Sequence, residues 1–215
     1  MRKILASLLF LAELVSCALA APAKVERIDR AQLSSVPESI WKVLDGKGYR
    51  LFLDDGSQLC DIWLRKDTPK STSKAAESAL YPQIAPSTMM GLISFPKGTT
   101  DYKGDAVPAG FYTLRYELLP ADGNHLGVAP NPDFVILVPA TSDPNPTAEF
   151  KAQELVTLSR KATGSQHPAP LSLVQAGDSE LTRDDQDHWI FSGKLGMASG
   201  SSLAFGLVVK GTAPQ

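Results

Sequence analysis

Three histidines and the carboxylates near them are the side chains of this sequence best suited to chemistry. His125 lies in a glycine-rich stretch between Asp122 and Asp133, and His167 lies in a predicted loop. Neutral imidazole and carboxylate are ligands that Zn²⁺ and similar divalent metals take in proteins. Loops at one end of a β-rich domain could bring these four side chains together as a metal site. The spacing permits that site without requiring it, because no two histidines fall on a shared turn.

Each of these residues also has a plain structural interpretation. The run Asp122-Gly123-Asn124-His125 is typical of a tight turn whose polar side chains bond to nearby backbone. His167 precedes a proline in a loop, and the third histidine, His188, begins a predicted strand. We expect no cofactor unless these residues hold Zn²⁺ or another divalent metal.

Motifs of the common catalytic sites are absent from the sequence. It has no His-Glu-x-x-His, no Gly-x-Ser-x-Gly, no P-loop and no Cys-x-x-Cys. Cys60 lies in a strand-like run, so we expect it to be a buried core residue rather than a reactive thiol. The sequence therefore favours a non-enzymatic binding or accessory domain. The alternative is a metal-binding protein or metal-dependent enzyme that uses the loops around His125 and His167.

Aromatic side chains suggest a second kind of ligand. Exposed aromatic rings stack on sugars, and the candidates are Trp41, Trp63, Trp189, Tyr102 and Tyr112. Most tryptophans in a domain of this size are core residues, so burial is the alternative. The expected partners are accordingly a small ligand, a glycan or an envelope protein.

A third possibility is an accessory protein that binds a partner through a sheet face or edge, and the strand Phe111–Leu118 offers such a face. Alternation places four apolar or aromatic side chains on its core face: Tyr112, Leu114, Tyr116 and Leu118. The opposite face is mixed in character: Phe111, Thr113, Arg115 and Glu117. That face is predicted either to meet solvent and a partner or to be covered by the predicted helix.

The N-terminus has the pattern of an export signal. Arg2 and Lys3 precede an apolar stretch, Ile4–Val15, and Ala18-Leu19-Ala20 provides a small-x-small cleavage site. We expect residues 1–20 to be removed and the protein to be periplasmic or secreted. Leu14-Val15-Ser16-Cys17 also fits a lipobox, in which case cleavage before Cys17 gives an outer-membrane lipoprotein. Membrane contact would then run only through the lipid on Cys17.

Composition excludes one class of partner. Among 215 residues, 21 Lys and Arg face 23 Asp and Glu, a formal net charge of −2. Nucleic-acid binding would need a basic stripe, so we expect no such partner. The length suits one domain, with residues 21–48 as a lead-in of helical or irregular character and residues 49–215 as the domain itself.

The predicted fold is mainly β: an antiparallel β-sandwich of about eight strands with one helix. Frequent Gly and Pro, 16 of each, favour many short strands joined by turns. The predicted strands are Tyr49–Leu53, Leu59–Leu64, Met89–Phe95, Phe111–Leu118, Phe134–Val138, Leu171–Val174, His188–Leu195 and Ser202–Val209. The Asp55-Gly56 turn predicts that the first two form a hairpin. The helix is predicted over Pro146–Ala162, with Thr147 as its N-terminal cap and Gly164 as its stop.

Several stretches carry a family resemblance. They are Pro108-Ala109-Gly110-Phe111-Tyr112-Thr113-Leu114-Arg115-Tyr116, Asp122-Gly123-Asn124-His125-Leu126-Gly127, Asp133-Phe134 and Ser165-Gln166-His167-Pro168-Ala169. Together they resemble a family of secreted bacterial β-sandwich proteins of unknown function. The resemblance covers about the central third of the chain. It implies a β-sandwich and an envelope location, and it assigns no catalytic residue.

Overall fold

The computed structural model describes residues 22–30, 35–72, 78–120, 129 and 131–213. Ten strands form one sheet: β1 Lys24–Asp29, β2 Lys47–Phe52, β3 Gln58–Leu64, β4 Met89–Phe95, β7 Gly110–Leu118, β8 Asp133–Pro139, β9 Pro170–Val174, β10 Leu181–Arg183, β11 Trp189–Gly196 and β12 Ser202–Lys210. A separate small hairpin consists of β5 Thr99–Thr100 and β6 Ala106–Val107. The helices are α1 Glu38–Val43 and α2 Ala152–Thr163, with a 3-10 turn at Ala140–Ser142.

The large sheet is antiparallel throughout and curls into a nearly barrel-shaped layer. Its strand order is β1-β2-β3-β4-β7-β8-β9-β12-β11-β10. Near the two ends of the sheet, the chain that follows β3 reaches β11. The Gly196 N–H donates to the Arg65 carbonyl (3.2 Å), and the Thr68 N–H donates to the Gly196 carbonyl (2.8 Å). The mainly β, antiparallel class predicted from the sequence is thus confirmed.

All eight predicted strands are present, and local turn chemistry explains the first hairpin. The turn between β2 and β3 has Gly56 at φ 77°, a left-handed conformation that glycine adopts without steric penalty. The Ser57 N–H donates to the Asp55 carboxylate (2.8 Å), which fixes the turn from within. The Asp-Gly signal in the sequence therefore located this hairpin correctly.

The segment predicted as an irregular or helical lead-in contributes two elements to the same fold. β1 pairs with β2 along six residues, from Lys24↔Phe52 to Asp29↔Lys47. α1 buries Ile40 and Trp41, and the Trp41 ring meets Trp63 edge-to-face at 5.2 Å. Pattern reasoning missed β1 because a mostly charged edge strand lacks the apolar signal of a buried one.

Apolar residues fill three clusters, one inside the curled sheet and two on its outer face. The inner cluster is the largest and includes Ile62, Ile93, Leu114, Phe191 and Leu207. The outer clusters lie beneath α1 and against α2: Trp41, Trp63 and Leu92 in the first, and Phe134, Ile136 and Leu155 in the second. The central strands are therefore covered on both faces, which explains the continuous apolar run of β8.

α2 begins later than the sequence predicts. It starts at Ala152 instead of Pro146, and Thr147 does not cap it, since the Thr147 hydroxyl donates to Asn145 Oδ1 (2.8 Å). Instead the Lys151 N–H donates to the Glu154 carboxylate (2.9 Å). The stop at Gly164 is confirmed, with φ 68°. Residues 143–150 are drawn away from helical geometry by a buried charge on β7.

That charge is Arg115, whose side chain is completely buried beside Asp143. Its Nε and Nη2 donate to the two oxygens of Asp143 (2.8 and 2.7 Å). The remaining three N–H groups donate to backbone carbonyls, each at 2.8 Å: those of Ser87, Asn145 and Ala148. All five donors of the guanidinium are therefore used. The Thr113 hydroxyl adds a bond to Asp143 (2.6 Å).

The mixed face of β7 is thus covered rather than open to solvent, which is the second of the two alternatives that the sequence allows. Thr113 and Arg115 are fully buried, and Glu117 is 8% exposed. The segment after β8 lies over them because it supplies the oxygens that Arg115 requires. Arg115 carries its charge on the outer face of the sheet, and a buried charge needs polar partners. This face is therefore covered by the segment that provides them.

Replacing Arg115 by Met should lower the free energy of unfolding by about 3–5 kcal/mol, because Asp143 then stays buried without its partner. Urea unfolding of the variant and the wild type measures the difference. Arg50→Met is the matched control. Arg50 also binds an aspartate with two bonds of 2.8 Å, to Asp61, but its side chain is 38% exposed. The control should cost clearly less, because Arg50 keeps part of its contact with water and the Gln58 amide still donates to Asp61 (2.9 Å). Equal losses in both variants would contradict a special role for Arg115.

Glu117 gives the protein a predictable pH dependence. Burial raises the pKa of its carboxyl group, opposed in part by the hydrogen bond from the Leu118 N–H (3.0 Å). The folded state therefore holds this proton more tightly than the unfolded state. The favourable contribution is complete below the unfolded pKa of about 4.3, and it is lost as pH rises through the higher folded pKa.

Glu117→Gln keeps the acceptor oxygen and removes the titration. We expect the variant to gain stability relative to the wild type between pH 4 and pH 7, measured by urea unfolding across that range. Glu149→Gln, at an exposed position, is the control for the substitution itself. A stability difference that is constant with pH would contradict the burial of a carboxylate charge at Glu117.

Candidate functional site

A cleft opens where the two ends of the large sheet approach each other. β10 is short and pairs with only the first three residues of β11, Trp189–Phe191. One further bond, from the Ser192 N–H to the Glu180 carbonyl (2.9 Å), continues the contact. Within the described residues, β1 and β10 share no strand pairing. The sheet therefore ends without closing along its whole length.

We call the resulting space the seam cleft. It is a cavity of about 310 Å³ lined by residues from both ends of the sheet: Arg27, Tyr49, Ala176, Gly177, Asp178, Ser179, Glu180, Ser192, Gly193, Lys194 and Ala204. Two ion pairs join the ends of the sheet, Arg27 with Glu180 in the cleft and Arg183 with Asp54 outside its lining. Between β1 and β10, which share no strand pairing, charged side chains thus join the two ends.

Arg27 and Tyr49 stack on each other in the seam cleft. The Arg27 guanidinium carbon lies 3.9 Å from the centre of the Tyr49 ring, and that ring packs edge-to-face on Phe191 at 4.9 Å. Burial by itself would lower the pKa of Arg27, but the interactions with Tyr49 and Glu180 outweigh it and the pKa is raised. A cation stacked on an aromatic ring is held in place without losing its charge.

A second cavity adjoins the first and has a different charge. This basic cavity, about 190 Å³, shares Arg27, Tyr49 and Lys194 with the seam cleft, and its other lining residues are Asp45, Lys47, Leu64, Arg65, Lys66 and Gly196. The Arg65 side chain turns away to donate to the Pro146 carbonyl (3.1 Å). The basic cavity therefore keeps one carboxylate, that of Asp45, and four cationic side chains: Arg27, Lys47, Lys66 and Lys194.

The four predicted metal ligands are not assembled by the part of the chain that the structure describes. Asp122 and His125 lie outside the described residues. Asp133 is fully buried, and its carboxylate accepts bonds from the N–H groups of Leu80 (2.8 Å) and Tyr81 (3.0 Å) and from the Tyr116 hydroxyl (2.7 Å). Asp133 thus anchors a loop to the sheet.

His167 is exposed in the turn after α2, where its backbone N–H donates to the Ser165 hydroxyl (3.1 Å). Among the described residues, no group of three or more His, Cys, Asp or Glu side chains is arranged to hold a metal ion. The metal site of His125, His167, Asp122 and Asp133 therefore stays a prediction that depends on residues beyond those described.

His188 is buried and used inside the fold. Its Nδ1 lies 3.0 Å from the Asp184 carboxylate, and its Nε2 lies 2.9 Å from the Thr212 carbonyl. Asp184 also accepts the His188 N–H (2.8 Å). For Asp184, these bonds and the nearby imidazole outweigh the effect of burial, and the pKa of its carboxyl is lowered. The histidine fastens the C-terminal segment to the turn before β11.

The aromatic residues considered for sugar stacking are all buried, so they form no exposed platform. Their exposed fractions are at most 6%: Trp41 4%, Trp63 1%, Trp189 6%, Tyr102 4% and Tyr112 4%. Cys60 is also fully buried, as predicted, and burial raises the pKa of its thiol well above the ordinary value. The only ring of a described tyrosine or tryptophan in the seam cleft is that of Tyr49.

Sequence reasoning missed every residue that lines the two cavities. Arg27, Tyr49, Lys66 and Lys194 are single polar or aromatic residues in separate strands and turns, with no motif spacing between them. Only the closure of the sheet brings β2 beside β11. No local signal in the sequence encodes that juxtaposition.

Comparisons with protein-family models, curated proteins and solved structures find no match to this chain. The family resemblance of the motifs around Gly110 and His125 stays a prediction. No helix within the described ranges has both the length and the apolar character needed to cross a membrane.

Proposed function

We propose that this protein is an exported, non-enzymatic binding domain whose small-molecule ligand occupies the seam cleft. The observation that carries the proposal is the incomplete closure of the sheet, which leaves a cavity of about 310 Å³ between its ends. Cavities that bind small molecules typically begin at about 300 Å³ and often lie at the mouths of β-barrels. The seam cleft meets the condition of volume, and it lies where the curled sheet fails to close.

The lining of the cleft suits recognition of a polar ligand. It combines the stacked Arg27–Tyr49 pair with the carboxylates of Asp178 and Glu180 and the ammonium group of Lys194. Gly177 is exposed in this lining, whereas Gly193 is buried, and a Cβ there would lie within 3.0 Å of the Phe191 and Leu64 side chains. A few placed polar groups around one aromatic ring are typical of sites that orient small ligands.

Export is the second half of the proposal and rests on the first twenty residues. The basic start, apolar stretch and small-x-small end of Met1–Ala20 support removal by a signal peptidase. The lipobox ending at Cys17 supports the alternative, a lipoprotein. Intact mass of the protein from the envelope fraction separates these routes, since a mature chain starting at Ala21 and a lipidated Cys17 differ in mass.

Ligand binding in the seam cleft is testable by NMR. The ¹⁵N-labelled mature protein is titrated separately with glucose, N-acetylglucosamine, glycine and citrate. We expect at least one of these probes to give saturable shifts at the Gly177 and Gly193 amides. Ala204→Trp places a large side chain in the cavity and should weaken that binding about tenfold or more.

Ala106→Trp is the matched control, since Ala106 is exposed on β6 and does not line the cleft. It should leave the affinity unchanged. The absence of saturable cleft shifts with all four probes would refute the proposed site. One equivalent of zinc in the purified protein, lost in His125→Ala, would instead favour the metal-binding alternative.

A further inference from the structure

We infer that the basic cavity is the anion subsite of the seam cleft and takes a compact anionic group: phosphate, sulfate or carboxylate. This inference rests on the proposed function and assigns a chemical class to its ligand. The two cavities share Arg27, Tyr49 and Lys194 as lining residues, so they lie side by side. A ligand that places its anionic group in the basic cavity extends its remaining atoms into the seam cleft.

The charge balance of the basic cavity is opposite to that of the whole protein. Arg27, Lys47, Lys66 and Lys194 line it with Asp45 as the only carboxylate of the lining, whereas the chain has a net charge of −2. Concentrating one sign of charge in a cleft focuses the field and attracts ions of the opposite sign. This local excess is the first observation behind the anion subsite.

Two of the four cations are already committed to carboxylates, and two are not. Arg27 binds Glu180, and Lys47 binds Asp29. Lys66 and Lys194 have no ion pair with any described residue, and both are exposed. Each ammonium group carries three N–H donors and no acceptor, so an anion supplies what these side chains lack.

Asp45 offsets only part of the positive charge of the subsite, because it is one carboxylate among four cations. Its carboxylate accepts the backbone N–H of Lys47 (3.0 Å) and so holds the turn before β2. Gly196 adds a second constraint, because a Cβ there would lie 2.4 Å from the Lys66 carbonyl. The backbone segments that carry Lys66 and Lys194 are thereby held close together on one side of the basic cavity.

The size of the basic cavity argues for an anionic group rather than a whole ligand. Its volume of about 190 Å³ is below the range of about 300–1,000 Å³ that is typical of complete small-molecule sites. A single tetrahedral or planar anion needs little room, and the adjoining seam cleft accepts the rest of a larger molecule. Because both ammonium groups are exposed, binding should weaken as salt rises.

The test titrates the ¹⁵N-labelled mature protein with inorganic phosphate at constant ionic strength. We expect saturable shifts at the amides of Lys66 and Gly196. The double substitution Lys66→Met and Lys194→Met removes both charges while keeping long side chains, and should weaken phosphate binding about tenfold. Lys97→Met, an exposed lysine outside both cavities, should leave it unchanged.

Glycerol 3-phosphate distinguishes a free anion from one carried on a larger molecule. Tighter binding than inorganic phosphate, with added shifts at Gly177 and Gly193, supports a ligand that spans both cavities. Equal affinity supports a free anion. Unsaturable shifts, or equal phosphate binding in the double variant and the Lys97 control, would overturn the anion subsite.

Failure of this inference is distinguishable from failure of the proposed function. If glucose or N-acetylglucosamine saturates the seam cleft while phosphate does not bind, the cleft is a binding site without an anion subsite. If no probe of either titration gives saturable shifts at the cleft, both proposals fail together. The amide spectrum of each variant shows directly that it is folded.

Discussion

The buried pair of Arg115 and Asp143 fixes the arrangement of the layer outside the sheet. Arg115 projects from the middle of β7 and binds oxygens from residues 87, 143, 145 and 148, so one side chain holds two separate segments against the strand. Ser87 takes a left-handed backbone at φ 71°, and its hydroxyl accepts the Phe150 N–H (2.8 Å). A guanidinium left without these acceptors would be costly inside the protein, so the segment can adopt few other paths.

This constraint explains why the outer layer is irregular where the sequence predicts helix. Residues 146–150 have reasonable helical pattern, but helical hydrogen bonding would withdraw the Asn145 and Ala148 carbonyls from Arg115. The hydrogen bonds that the buried Arg115 requires outweigh the helix propensity of residues 146–150. α2 therefore begins only at Ala152. An apolar residue at position 115 would permit a longer helix but would supply no equally specific docking of the layer.

The sequence predicted those parts of the fold that local chemistry controls. All eight strands with apolar runs were located, as were the Asp-Gly hairpin at Gly56 and the helix stop at Gly164. β1 was missed because its alternating charges resemble a surface segment until β2 is present to pair with it. The candidate site was missed for a stronger reason: Arg27 and Lys194 are 167 positions apart, and only the curvature of the whole sheet brings them to one cavity.

The unclosed seam follows from how the sheet protects its own edges. A long apolar edge at β1 would pair with other molecules, whereas a strand that carries Lys24, Glu26, Arg27 and Asp29 resists such pairing. The same charges make a continuous β1–β10 ladder unnecessary, since Arg27 reaches Glu180 across the gap. Stability comes mainly from the inner cluster and from the layer held by Arg115, and the seam meets that cluster where Tyr49 packs on Phe191. The ends of the sheet can therefore carry polar residues. A binding function placed in a polar cleft between them does not weaken the fold, because the core does not depend on that cleft.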